Sequence, residues 1–213
     1  MNRKIALIFL LLLALAIVLS YAASKFTVLP FDLKSYHELQ EEASLPFNLL
    51  MQTVSYLGET AVALALMTIA VSTFALRRQW LEAIFMLTTT SSIFLTFALK
   101  EFIHRTRPFP LTESSSGFMQ GINQYSYPSG HVLFFVVFFG FFAYLAWIHF
   151  AGKMRMIVIT VCLALIVLIG PSRVFLGAHW ASDVVGGYLI GTIWLILLIL
   201  AYRWALQFLS ERL

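Results

Sequence analysis

Residues 131–150 read HVLFFVVFFGFFAYLAWIHF, twenty positions without a lysine, arginine, aspartate or glutamate. A helix needs about 20 apolar residues to cross the hydrocarbon core of a bilayer, so this stretch predicts a transmembrane helix. Working outward, five more apolar stretches stand near residues 4 to 22, 57 to 76, 80 to 99, 156 to 172 and 184 to 203, separated by short polar joints. Composition agrees, since hydrophobic types make up 61% of the 213 residues and charged types 11%, far from the soluble average. The predicted fold class is all-α: a polytopic membrane protein with six transmembrane helices in a bundle, one domain over residues 1–213. Cys162, the single cysteine, falls in the fifth span and leaves no intrachain disulfide.

Arg3 and Lys4 before an apolar run, with Ser20 and Ala22 after it, also resemble a signal peptide. The run from about Ile5 to Ala23 exceeds a signal core of about 7 to 15 residues, which predicts a retained first span.

A net charge of +4 and a pI of about 9.3 would suit nucleic acid, but the basic residues are scattered at the ends of apolar spans, where topology explains them better. With the first span starting inside, the inner joints carry Arg3 and Lys4, Arg77 and Arg78, Lys153 and Arg155, then Arg203 and Arg212. That is the positive-inside pattern, with both termini cytoplasmic. The outer segments are then 24–56, 100–130 and 173–183. The first carries Asp32, Glu38, Glu41 and Glu42 against Lys25 and Lys34 and reads as a solvated connector. A short amphipathic piece through Leu39, Ala43, Leu45 and Phe47 is the alternative. Lys100, Arg105, Arg107 and Arg173 break the bias by lying outside, which asks for a function.

Three polar clusters fall at the outer ends of spans. Lys100 and Arg107 are seven residues apart, which on a helix puts them two turns apart on one side, facing one anion. Pro108 and Pro110 then end the helix and lead into a loop over 112–117. Pro128, Ser129, Gly130 and His131 open onto the fourth span, where Ser129 can cap the helix, Gly130 admits close backbone approach, and His131 can protonate a departing oxygen. Ser172 and Arg173 precede His179, and Asp183 follows it by four residues. On a helix those two share a face, so the carboxylate can hold one ring nitrogen and leave the other free to attack phosphorus. Each cluster taken alone also has a plain reading: snorkelling cations, a helix cap beside an interfacial histidine, a structural ion pair.

Together they spell K-x6-R-P, P-S-G-H and S-R-x5-H-x3-D, complete and in order. The pattern resembles the type 2 phosphatidic acid phosphatase superfamily, which also holds bacterial acid phosphatases and vanadium haloperoxidases, and the six-span layout is similar to its compact bacterial lipid phosphatases. That resemblance implies that His179 is the nucleophile, Asp183 orients it and His131 is the general acid. It further implies that Lys100, Arg107, Arg173, Ser129 and the Gly130 N–H hold the phosphate oxygens. No metal or other cofactor is needed in this scheme, because three cations supply the positive charge, and His37, His104 and His149 form no plausible ligand set. The implied partners are a phosphorylated lipid substrate and membrane lipids, not nucleic acid; the oligomeric state stays open.

The expected activity is hydrolysis of a lipid phosphomonoester or pyrophosphate at the extracytoplasmic face of the cell membrane. Undecaprenyl pyrophosphate, phosphatidylglycerophosphate and phosphatidic acid are the candidates. A lipid phosphotransferase with the same phosphohistidine, a non-catalytic anion-binding membrane protein and a vanadate haloperoxidase are the alternatives. No role falls on His104 or Arg105. Trp80, Trp147, Trp180 and Trp204 are expected in an aromatic belt and Trp194 within the bilayer. Phe134, Phe135, Phe138, Phe139, Phe141 and Phe142 read as a lipid-facing and packing surface, while Gly186 and Gly187 allow close helix packing.

Overall fold

The computed structural model describes residues 3–41, 44–108 and 125–211, and their regular structure is helical apart from one isolated bridge. In chain order the helices are α1 (Arg3–Lys25), α2 (Pro30–Glu41), α3 (Leu45–Tyr56), α4 (Thr60–Leu76), α5 (Trp80–Thr88), α6 (Ser91–Ile103), α7 (Gly130–His149), α8 (Gly152–Phe175) and α9 (Ala181–Ser210). Glu42, Pro110, the loop at 112–117 and Arg212 lie outside the described residues.

Five segments are long and apolar enough to cross a membrane: Ala6–Lys25, Trp80–Ile103, Gly130–His149, Gly152–Phe175 and Ala181–Ser210. The sixth crossing is composite. The 17 residues of α4 rise about 26 Å, short of the roughly 30 Å of hydrocarbon. Joined to α3 through a 63° bend, the pair has the length and hydropathy of a span. The stretch expected at 57 to 76 therefore begins earlier, and its outer end is broken at Leu57, Gly58 and Glu59.

The third span is interrupted for a local reason. Thr88, Thr89, Thr90, Ser91 and Ser92 each donate a side-chain hydroxyl to the backbone carbonyl three residues earlier, at 2.6–2.7 Å. Such back-bonding competes with the helical ladder and separates α5 from α6.

The run that decides the fold class is also the core. Apolar on every side, α7 has no face suited to water and packs among α6, α8 and α9. Phe134, Phe135, Phe138, Phe139 and Phe141 are buried in protein, Phe135 and Phe141 completely. The lipid-facing role expected for this run is therefore wrong: a bundle helix ringed by others meets side chains, and the outer helices meet lipid.

Alternating directions bring the end of α6, the start of α7, the end of α8 and the start of α9 to one end of the bundle. At the opposite end, Glu82 accepts a hydrogen bond from Tyr202 Oη at 2.9 Å and stands 3.2 Å from His149 Nε2. It ties α5, α7 and α9 together there. Trp80, Trp147 and Trp204 are exposed as a belt requires, and Trp194 donates to Ser91 Oγ at 2.9 Å within the bundle. Cys162 is buried as a small packing residue.

The segment at 24–56 is no solvated connector. It forms α2 and α3, which pack on α8 and α9, and Asp32 is completely buried. Its acidic character misled the reading, since a carboxylate with the right partners belongs inside.

Close approach between α9 and the α7 entrance depends on glycine. A Cβ at Gly186 would stand 2.4 Å from the Tyr127 ring, and one at Gly187 would stand 3.0 Å from the Ser129 carbonyl oxygen. At Gly140 the obstacle is only the end of the Leu195 side chain. Gly186→Ala is therefore expected to cost roughly 1–3 kcal/mol of stability, read as a lowered unfolding midpoint in detergent, with a smaller loss for Gly140→Ala.

Candidate active site

The first cluster is assembled by a turn, not by helical periodicity. α6 stops at Ile103, where His104 takes a left-handed conformation (φ 53°) and its N–H bonds the Lys100 carbonyl at 3.0 Å. Lys100 thus occupies the last helical turn and Arg107 lies beyond it, which corrects both the shared helix face and the role given to Pro108 in ending the helix. Beyond that, Thr106 bridges Tyr125, Ser126 N donates to the Arg105 carbonyl at 2.7 Å, and Trp180 Nε1 donates to the Thr106 carbonyl at 3.1 Å. Arg107 Nη1 reaches the Ala178 carbonyl at 2.8 Å, next to His179. Trp180 is buried, so it is a brace of the site and not part of an aromatic belt.

Ser129 is the N-cap residue of α7, yet its hydroxyl makes no capping bond. The cap's backbone is held instead, with Ser129 N donating to the Asp183 carbonyl at 3.0 Å, which fastens the second cluster to the third. His131 follows in the first turn. The break between α3 and α4 presses against it: a Cβ at Gly58 would sit 2.3 Å from His131 Cδ2.

α8 ends in a Schellman motif. Gly177 has φ 67°, its N–H bonds the Val174 carbonyl at 2.9 Å, and Ala178 N bonds the Arg173 carbonyl at 3.1 Å. Only a residue free to adopt positive φ reverses the chain this sharply. His179 is thereby folded back, with its own N–H on the Arg173 carbonyl at 3.2 Å. Arg173 Nη1 is hydrogen-bonded to Ser55 Oγ of α3. His179 stands outside any helix, while Asp183 is in the first turn of α9, so they do not share a helix face. The turn still brings them together, with His179 Nδ1 3.6 Å from Asp183 Oδ2. That is an ion-pair distance and not a hydrogen bond.

Asp183 has other partners. Oδ2 accepts the Trp180 N–H at 2.9 Å, a helix-capping bond, and Oδ1 accepts Arg105 Nη1 at 2.6 Å. Arg105 and Asp32 are site residues that sequence reasoning missed. Arg105 also donates from Nη2 to Asp32 Oδ2 at 2.7 Å, and both side chains are completely buried. The one signal for Arg105 was its place among the outer cations. Nothing local marked Asp32.

The described buried side-chain polar atoms that find no hydrogen-bond partner are Ser129 Oγ, His131 Nε2, Arg173 Nε and His179 Nδ1. All four belong to the expected site. Buried polar atoms are normally satisfied, so their convergence marks a place built for a polar ligand. The charges of Arg107, Arg173, Lys100 and His131 all bear on His179, whose imidazole is pushed well below its ordinary pKa, first by burial and then by these cations. Arg107 is pulled below the usual guanidinium range by burial, against the raising effect of Asp183. Two carboxylates, Asp32 and Asp183, share Arg105, so the balance of charge facing the orphaned atoms is positive. Such a setting suits an anion such as phosphate and favours the neutral form of the His179 ring. Among the described residues, no group of three or more His, Cys, Asp or Glu is placed to hold a metal ion.

Residues 80–207 match the model of the PAP2 superfamily. Phosphatidylglycerophosphatase B of Bacillus subtilis is 32% identical over 149 residues, covering 68% of this chain and 70% of that protein. The crystal structure described as the first transmembrane PAP2 type phosphatidylglycerolphosphate phosphatase, also from Bacillus subtilis, superposes with a TM-score of 0.74 at 28% identity, over 89% of this chain and 93% of that one. The crystal structure of Aquifex aeolicus LpxE has the same fold, with a TM-score of 0.60 at 20% identity over 80% of this chain and 96% of that one.

On the expectation that His179 attacks phosphorus, activity should fall as pH drops through its pKa, because protonation silences an imidazole nucleophile. Arg107 is the strongest of the charges that lower that pKa. Arg107→Gln is therefore expected to raise it and move the acid limb of the kcat/KM profile to higher pH. The check is a pH series on the purified variant beside the parent.

Proposed function

This chain belongs to the PAP2 superfamily and is a multi-pass membrane lipid phosphatase; from that premise we propose that it works through a phosphohistidine at His179. The observation that carries this reading is the convergence of orphaned buried polar atoms from Ser129, His131 and Arg173 with His179, whose Nδ1 faces Asp183, at one end of the bundle.

In the proposed first step the free ring nitrogen of neutral His179 attacks phosphorus. The bond to the lipid oxygen breaks, and His131 gives that oxygen its proton. Asp183 faces the other ring nitrogen and stabilises the positive charge that grows on the imidazole. Lys100, Arg107 and Arg173 surround the equatorial oxygens together with the Ser129 hydroxyl and the Gly130 N–H at the start of α7, where the helix dipole favours an anion. Negative charge arriving with the phosphate offsets the cations and favours the protonated form of His131. In the second step water attacks the phosphohistidine while His131 takes its proton, releasing inorganic phosphate. Three fixed cations do the work that a divalent metal does in other phosphoryl transfers.

The substrate class follows from where the site lies. A headgroup phosphate can enter the polar end of the bundle while its tail stays in lipid along the exposed apolar helices. The names of the Bacillus subtilis relatives favour phosphatidylglycerophosphate over undecaprenyl pyrophosphate and phosphatidic acid. Arg3, Lys4, Arg77, Arg78, Lys153, Arg155 and Arg203 lie toward the end opposite the site, which supports cytoplasmic termini, an extracytoplasmic site and one domain over residues 1–213.

His179→Ala is expected to lower phosphate release at least about a thousandfold, the scale on which a nucleophile is lost, with helical content unchanged. Full turnover in that variant would remove His179 from the mechanism. The parent protein, given phosphatidylglycerophosphate, phosphatidic acid and undecaprenyl pyrophosphate in mixed micelles, is expected to release phosphate equally with and without EDTA, and fastest from the first. Release only from soluble phosphate esters would overturn the lipid assignment.

A further inference from the structure

Every nitrogen of the Arg105 guanidinium donates to protein. Nε donates to the Thr27 carbonyl at 3.0 Å, Nη1 to Ser182 Oγ and Asp183 Oδ1 at 2.6 Å each, and Nη2 to Asp32 Oδ2 at 2.7 Å. With its side chain completely buried, Arg105 is therefore no phosphate ligand, unlike the other cations of the site. Asp32 is equally committed, since it accepts the Leu29 N–H, the Ser182 N–H and the Ser182 hydroxyl besides Arg105. The two residues reach the site from the first turn of α2 and from the turn after α6, and they meet beside the carboxylate that faces His179.

We propose that Arg105 and Asp32 are positioning residues for the reaction. Arg105 grips Asp183 Oδ1 so that Oδ2 is held toward His179, and Asp32, by sharing the same guanidinium, prevents Arg105 from neutralising that carboxylate. The inference rests on the reading of His179 as nucleophile.

Charge arithmetic makes the idea specific. Asp183 can stabilise a positive imidazole only while its own charge is not cancelled by a cation at 2.6 Å. A second buried carboxylate on the far side of the fork leaves the trio Asp32–Arg105–Asp183 with a net negative charge, and Asp183 keeps its field at His179. A lysine in place of Arg105 keeps the charge but loses the planar fork that reaches two carboxylates at once. The other charges that bear on His179 are Lys100 on α6, Arg107 in the turn after it, His131 on α7 and Arg173 on α8, with Glu59 from the α3–α4 break acting on Arg173. The variants below leave these unchanged.

The test compares kcat, KM and the acid limb of activity against lipid phosphate in Asp32→Asn, Arg105→Gln and Arg105→Lys, with His179→Ala alongside. Asp32→Asn removes a negative charge while keeping an acceptor for Ser182, so the His179 pKa should fall and the acid limb should move to lower pH. Arg105→Gln removes a positive charge and should move the limb to higher pH. Arg105→Lys should leave the limb in place and lose roughly ten- to a hundredfold in kcat through misorientation, with KM close to that of the parent. Should Arg105→Gln fail to fold, Asp32→Asn carries the test alone. Limbs that coincide with the parent's in both charge-changing variants would overturn the proposal, because a merely structural role lowers the active fraction without moving a pKa. So would a loss expressed in KM alone. An active His179→Ala variant would instead refute the nucleophile on which the proposal rests, so the two failures are told apart.

Discussion

One carboxylate organises the end of this bundle that holds the candidate site. Asp183 Oδ2 accepts the Trp180 N–H and caps α9, Oδ1 receives Arg105, the backbone carbonyl receives Ser129 N and so fixes the start of α7, and the carboxylate faces His179. Two chain segments remote in sequence, at Arg105 and Ser129, are thereby registered on the start of α9. A buried negative charge is costly to leave unpaired, and that cost makes the arrangement specific: any shift of α6, α7 or α9 that loses a partner of Asp183 is opposed by it.

The same economy explains how a cluster of cations can sit at the end of a membrane bundle. Burial discourages Arg107, in the turn after α6, from carrying charge. Inside the protein Arg107 donates to a carbonyl and Arg173 to a hydroxyl. The strong acceptors, Asp32 and Asp183, are given to Arg105 and not to them. In the proposed mechanism a phosphate group is the ligand these cations receive. Helix geometry assists, because the start of α7 presents backbone N–H groups on the same side.

The outer helices α2 and α3 do more than link two spans. Asp32 reaches the network from α2, Ser55 meets Arg173 from α3, and Gly58 lies against His131 at the break before α4. A continuous helix from α3 into α4 would carry this stretch straight past the site. The chain bends by 63° there, with Ser55 meeting Arg173 before the bend and Gly58 beside His131 within it.

The sequence by itself determined the membrane class, five of the six spans and the three motif clusters. A twenty-residue run without a lysine, arginine, aspartate or glutamate suits a membrane, and the alternation of crossings then puts Lys100, Ser129, Arg173 and Asp183 at one end whatever the packing. It could not say which spans face lipid, because a run such as Phe134 to Phe142 is equally apolar against hydrocarbon and against neighbouring helices. Periodicity also failed at Lys100 with Arg107 and at His179 with Asp183. These pairs are joined by turns through His104 and Gly177, whose positive φ values change direction in a way no 3.6-residue repeat describes. Asp32 and Arg105 were beyond reach for a different reason: their partners are 73 to 150 residues away. A buried charge looks like a solvated one until tertiary structure supplies its counterion.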